Sequence, residues 1–299
     1  MKPFLLPFFL SAIFLMPSAR TFAAPNDAES AKQVYKTVGN RKLTLSFDYP
    51  PEWKPSDKRP AVVFFFGGGW SHGSPSQFEP QAKYFAKRGL VCARADYRLR
   101  GKDGVTPDKC VEDAISAMRW VRSHAAQFGI DPNRIVAAGG SAGGHLAACT
   151  FFVDDLAAPD DEKSVSPKPN AMILYNPVLD LVAVRAERAV RSGHYFAGVD
   201  DATLKRISPG LYLRKDMPPT LILDGTMDWL HSQILGLVAK AKSMGAPVEA
   251  WYADGQPHGF FNKQPWLAKT TEQADAFLCR IGYLREEPKV PLPTSEARR

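Results

Sequence analysis

The stretch Arg134-Ile135-Val136-Ala137-Ala138-Gly139-Gly140-Ser141-Ala142-Gly143-Gly144-His145-Leu146-Ala147 decides how the rest of the chain is read. Ile135 to Ala138 is a short apolar run of the kind that forms a buried strand, and Ala142 to Ala148 opens a helix. Between them, Gly139-Gly140-Ser141-Ala142-Gly143 fits G-x-S-x-G. A serine at the apex of a tight strand-to-helix turn sits in strained backbone, and glycines two positions either side let strand and helix approach closely. Such a turn lifts the hydroxyl above a sheet, beside the positive end of the new helix. The competing reading is a glycine-rich turn with a solvent-facing serine. The strand before and the helix after favour a nucleophile at Ser141.

Working outward, Ala61 to Phe66 is a continuous apolar run, as expected of a strand covered on both faces. Leu90 to Ala95 reads as the next buried strand, and Leu43 to Tyr49 alternates like a half-buried one. Helices are predicted over Gln77 to Arg88, stopped by Gly89, and from Thr106-Pro107, with Val111, Ile115, Met118 and Val121 along one face. Beyond the serine, Ala171 to Tyr175, Thr220 to Leu223 and Val248 to Tyr252 read as strands. Ser232 to Met244 and Trp266 to Ile281 read as helices, and Leu181 to Asp216 as irregular chain with short helical pieces. Strand and helix alternate almost throughout, which predicts one α/β domain over 25–285, with a mostly parallel sheet and helices on both faces. A dinucleotide-binding fold would share the alternation but wants G-x-G-x-x-G opening its first helix. Gly67-Gly68-Gly69-Trp70-Ser71-His72-Gly73 is not in that register.

Residues 1–24 read as a secretory signal. Lys2 supplies a positive start, Phe4 to Met16 is almost wholly apolar, and Thr21-Phe22-Ala23-Ala24 offers small residues for cleavage. The apolar core is short for a membrane span and nothing later reaches about eighteen apolar residues, so a secreted or periplasmic protein without stable membrane insertion is expected. Residues 286–299 are polar and proline-bearing, and are expected to form a mobile tail. The formal charge of +7 falls to +5 once Lys2 and Arg20 leave with the signal (7 − 2). Basic residues form no block interleaved with aromatics, so nucleic acid is not an expected partner. Of the four cysteines, Cys92 falls in a strand and Cys110, Cys149 and Cys279 in separate helices, which favours buried free thiols over disulfides. None has metal-ligand spacing.

A serine nucleophile needs a base, itself oriented by a third group. Of six histidines, His258 stands in a Gly/Pro-rich loop after the strand ending at Tyr252, where a parallel sheet presents residues on the same rim as Ser141. His145 reads as structural, His72 could line the pocket, His124 belongs to a helix, and His194 and His231 have no motif around them. For the acid, Asp228 lies past the turn at Gly225 and is favoured. Asp224 at the strand's end competes, and Asp254 is a distant third. Gly67-Gly68-Gly69-Trp70 follows the strand Ala61 to Phe66, with amides sterically open to a substrate oxygen.

The ordered set of Gly67-Gly68-Gly69-Trp70, Asp96-Tyr97-Arg98, Gly139 to Gly144, Gly225-Thr226-Met227-Asp228 and His258-Gly259-Phe260 resembles the α/β-hydrolase superfamily. Within it, the set looks like the hormone-sensitive-lipase-like carboxylesterases. The resemblance implies an α/β-hydrolase fold, oxyanion donors at the amides of Gly68, Gly69 and Ala142, a structural role for Asp96-Tyr97-Arg98, and no metal or organic cofactor. The family loop usually begins His-Gly-Gly-Gly; Phe66 replaces that histidine here. In this respect the exported chain is similar to esterases that deacylate plant polysaccharides, such as acetylxylan esterases.

These readings converge on a serine ester hydrolase with Ser141, Asp228 and His258 as its triad. The aromatics Trp70, Phe260, Phe261 and Trp229 are expected to narrow the acyl side, with Trp70 and Phe260 touching substrate. The charged segment Leu181 to Asp216 is expected to suit a polar alcohol. A small-molecule or polysaccharide acetyl ester is therefore the expected substrate. A non-catalytic polysaccharide-binding protein on the same scaffold is the alternative.

Overall fold

Strand residues Ala61 to Phe65 show how one run serves two cores. In the computed structural model, which describes residues 31–188, 196–287 and 289–294, Ala61, Val63 and Phe65 enter one apolar cluster, while Val62 and Phe64 enter the other. Side chains alternate across a strand, so a continuous apolar run must have protein on both faces of its sheet. The same two-sided division recurs at Met172 and Leu174 against Ile173 and Tyr175.

The strands are Ala31–Val38 (β1), Arg41–Asp48 (β2), Arg59–Phe65 (β3), Val91–Ala95 (β4), Ile130–Gly140 (β5), Ala171–Tyr175 (β6), Thr220–Gly225 (β7) and Val248–Ala253 (β8). They form one eight-stranded sheet in the order β1-β2-β4-β3-β5-β6-β7-β8. β2 pairs antiparallel with β1 and β4, and the pairs from β4 to β8 are parallel. The helices are Glu79–Lys87 (α1), Arg100–Asp103 (α2), Pro107–Ser123 (α3), Ala142–Phe152 (α4), Leu181–Arg188 (α5), Asp201–Arg206 (α6), His231–Ser243 (α7) and Trp266–Arg280 (α8). This is the expected α/β-hydrolase arrangement. β1 was not anticipated.

The chain steps from β3 to β4 on one side and then to β5 on the other. An open sheet leaves a crevice at such a reversal, beyond the carboxyl ends of the two strands. The glycine-rich loop leaves β3 at that crevice and Ser141 leaves β5 there, so topology alone puts both at one place.

All four cysteines are unpaired. Cys92, Cys110 and Cys149 are buried, and burial pushes each thiol well above its ordinary range. The tail is partly packed: Val290 and Leu292 lie against the α1/α8 side of the core, and Gln264 Nε2 donates to Pro293 O at 2.6 Å. Those apolar contacts explain why the segment does not simply trail away at 286. Among the described residues, no helix is long and apolar enough to cross a membrane. The expected signal at 1–24, and also His194, lie outside the described residues.

Candidate active site

Ser141 stands between β5 and α4 at φ +55°, a left-handed conformation that costs a non-glycine residue on the order of 1 kcal/mol or more. Two glycines make the turn possible. A Cβ on Gly143 would lie 2.0 Å from Phe65 O, and one on Gly140 2.3 Å from Phe261 Cζ. The Ser141 N–H donates to Tyr175 O at 2.8 Å, which ties the turn to the neighbouring strand β6.

His258 Nε2 is 2.8 Å from Ser141 Oγ, and His258 Nδ1 is 2.8 Å from Asp228 Oδ2. Asp228 is buried, and its Oδ1 accepts from Leu230 N at 3.0 Å. Ser141, Asp228 and His258, chosen from strand ends in the sequence, are therefore brought together. Asp224 goes elsewhere: its Oδ2 takes His231 Nδ1 at 2.7 Å. Burial raises the Asp224 carboxyl, the His231 bond pulls it back down, and the Asp228 charge raises it again, with a net upward shift. The Asp254 carboxylate meets neither histidine and accepts from Thr226 Oγ1 at 3.2 Å.

Asn176 is the residue that sequence reasoning missed. Its Nδ2 donates to both Asp224 Oδ1 and Asp228 Oδ2, and its Oδ1 accepts from Gly259 N at 3.3 Å, next to His258. It is fully buried and sits at φ +44°, a region asparagine tolerates better than most residues. Its only signal in the sequence was a polar residue directly after a strand bordering the serine's own.

On the other side, Gly68 at φ +127° has no room for a side chain, since a Cβ would meet His72 O at 2.0 Å. Among the described residues, the amides of Gly68, Gly69 and Ala142 have no protein acceptor, and all three residues line the cavity beside Ser141. Phe66 takes over the loop's support in the absence of the usual histidine. Its ring stacks on Tyr97 at 4.2 Å, Tyr97 Oη donates to Phe66 O at 2.7 Å, and Gly67 N donates to Gln77 Oε1 at 2.6 Å. Arg98 forms a buried ion pair with Asp113 at 2.8 Å and so anchors the Asp96-Tyr97-Arg98 turn to α3.

The cavity measures about 290 Å³, with Trp70, Val178, Val184, Phe196, Trp229 and Phe261 among its walls. Phe260 is not one of them. It is buried edge-on to Trp266 at 5.7 Å, and Phe261 takes its place. The turn at Gly259, φ +79°, sets which of the two adjacent rings faces Ser141. The segment 181–216 also differs from expectation. Arg185 pairs with Asp201 and Arg206 with Asp155, whereas among the described residues of the segment Val184 and Phe196 reach the cavity. A second, polar cleft of about 730 Å³ adjoins the first across Gly67, Gly68 and His72, and carries Ser74, Ser76, Glu79 and Lys83.

The chain matches the BD-FAE family over residues 49–233. It belongs to that family. As a BD-FAE member it is a hormone-sensitive-lipase-like α/β-hydrolase. It is 38% identical over 247 residues to carboxylesterase NlhH of Mycobacterium tuberculosis, covering 76% of this chain and 75% of that protein. Among solved structures, esterase 2 of Thermogutta terrifontis phosphonylated by sarin is 44% identical, with a TM-score of 0.80 over 87% of this chain and 97% of that one. The butyrate-bound form of the same esterase is 43% identical, with a TM-score of 0.79 over 87% and 97%. Ester hydrolysis is the class of reaction these relatives support for this BD-FAE chain.

Proposed function

We propose that the protein is an exported serine carboxylesterase that works through an acyl-enzyme on short-chain esters, chiefly acetyl esters of a polar, carbohydrate-like alcohol. The observation carrying this reading is the unbroken hydrogen-bonded chain from Ser141 Oγ through His258 to Asp228, opening on a cavity of about 290 Å³.

In the first step Ser141 Oγ attacks the ester carbonyl carbon while His258 Nε2 takes the hydroxyl proton. Asp228 holds the ring so that Nε2 faces the serine, and it offsets the imidazolium charge. The carbonyl oxygen gains a negative charge, to which the amides of Gly68, Gly69 and Ala142 are free to donate hydrogen bonds. Removing one such donor typically costs about a hundred- to a thousand-fold in rate. The intermediate collapses, the alcohol leaves with the proton from His258, and Ser141 remains acylated. Water then repeats the sequence with His258 as base and releases the acid. The relative phosphonylated by sarin undergoes the reaction expected of an activated serine hydroxyl, which supports the same role for Ser141.

Walls of Trp70, Phe196, Trp229 and Phe261 leave space for a short acyl group. The butyrate-bound relative is consistent with that scale. The hydroxyl-lined cleft beyond His72 supports a polar alcohol, in place of the charged segment first expected to do so. The test is hydrolysis of p-nitrophenyl acetate, butyrate and palmitate, followed by acetate release from acetylated xylan. Acetate should be fastest and palmitate slowest by about a hundredfold or more. Faster palmitate hydrolysis would overturn the small-acyl reading. Rapid acetate hydrolysis with no release from xylan would overturn the carbohydrate assignment alone.

A further inference from the structure

His145 follows the nucleophile by four residues and has no part in the proton transfer. Its ring is fully buried, yet both nitrogens are engaged. Trp70 Nε1 lies 3.1 Å from Nδ1, and Ile207 O lies 2.6 Å from Nε2. An indole N–H can only donate and a carbonyl can only accept. The tautomer is therefore fixed, with the proton on Nε2 and the lone pair on Nδ1. Burial pushes the imidazole down from 6.5 to about 4, with the Ile207 bond pulling partly the other way, so the ring is neutral at working pH.

The partners make this histidine more than a satisfied core residue. Trp70 directly follows Gly68 and Gly69, stands at φ +57°, and forms part of the cavity wall. Its ring meets His145 edge-on at 5.2 Å and Phe196 at 5.8 Å. Ile207 follows α6 in the segment that brings Val184 and Phe196 to the same cavity. One ring therefore holds the oxyanion loop's tryptophan and the opposite segment in register with the helix carrying Ser141.

We propose that His145 is a specificity-determining positioning residue: by fixing the Trp70 indole in the wall, it sets the longest acyl chain the cavity accepts. This rests on the reading of the 290 Å³ cavity as the acyl site. Without the Nδ1 acceptor the indole N–H is left unpaired, and the ring gains by turning towards water or another acceptor, which opens the wall. Chain-length discrimination in an apolar pocket amounts to about tenfold or more per methylene refused, so a small movement of one ring is readable in rates.

The experiment is a double-mutant cycle on His145→Phe and Trp70→Phe, reading the ratio of kcat/KM for p-nitrophenyl octanoate over acetate. An unfolded fraction lowers both rates alike and cancels from this ratio, which a purely structural role would not move. Each single variant should raise the ratio about tenfold or more, and the double variant should match Trp70→Phe within about twofold, because His145 acts only through the indole that Trp70→Phe removes. An unchanged ratio in His145→Phe, or two effects that multiply in the double variant, would overturn the proposal. If His145→Phe does not fold, Trp70→Phe still tests it: an unchanged ratio there sinks the idea. Wild-type hydrolysis of the acetate ester reports separately on the functional reading, and its absence would overturn both.

Discussion

Two aspartates four residues apart at the carboxyl end of β7 each hold a histidine. Asp228 holds His258 at 2.8 Å and Asp224 holds His231 at 2.7 Å, each through Nδ1 and Oδ2. By that contact alone they are equivalent, and Asn176 donates to both carboxylates. What separates them lies at the far side of each imidazole. His258 Nε2 faces Ser141 Oγ at 2.8 Å, whereas the His231 ring lies edge-on to Tyr252 at 5.5 Å. An oriented base is useful only where a proton waits to be taken, so geometry beyond the pair, not the pair, is the ground for proposing His258 as the base.

The two pairs should differ steeply in how much of the rate depends on them. Asp228→Asn should lower kcat by about 10⁴-fold with the fold intact, because the amide holds the imidazole in an unproductive tautomer. Asp224→Asn should lower it by no more than about tenfold, through Asn176 and not through the base. Steady-state kinetics on p-nitrophenyl acetate with both variants settles the ranking; the reverse order would reassign the acid.

That Asp228 and not Asp224 meets His258 was legible because the turn at Gly225 lets the later residue reach over the rim. Ser141 and His258 were legible for a similar reason, since each sits in a local frame of strand, glycine and helix that short-range sequence reveals. Asn176 was not. Its role depends on three hydrogen bonds to residues about 50 to 80 positions away, and no local pattern encodes such distances. Phe260 and Phe261 were indistinguishable for the same reason: neighbours in sequence, they point apart only because of how Gly259 turns. Most of the sheet was readable from apolar runs. β1 escaped because its pairing with β2 shifts register between Val34 and Lys36, which breaks the two-residue alternation, and because Val34 faces solvent.

A third histidine sharpens the contrast by having no carboxylate. His145 is buried and neutral, its value pushed down from 6.5 to about 4. The folded state therefore binds its proton less readily than the unfolded chain. The stability it contributes is complete above pH 6.5, erodes as pH falls, and is lost once pH passes about 4. The total at stake is roughly 3 kcal/mol. Urea unfolding at pH 7 and pH 4 should show a fall in stability that is smaller by about that amount in His145→Phe than in the wild type. Equal falls would mean that the ring is not buried neutral.

If Ser141 is the activated nucleophile, it should react covalently with an electrophilic phosphorus reagent. After incubation with a fluorophosphonate, intact mass and peptide mapping should show one adduct per chain, on the peptide carrying Ser141, absent in Ser141→Ala and much slower to form in Asp228→Asn. No adduct on the folded wild type, or labelling that persists in Ser141→Ala, would contradict it.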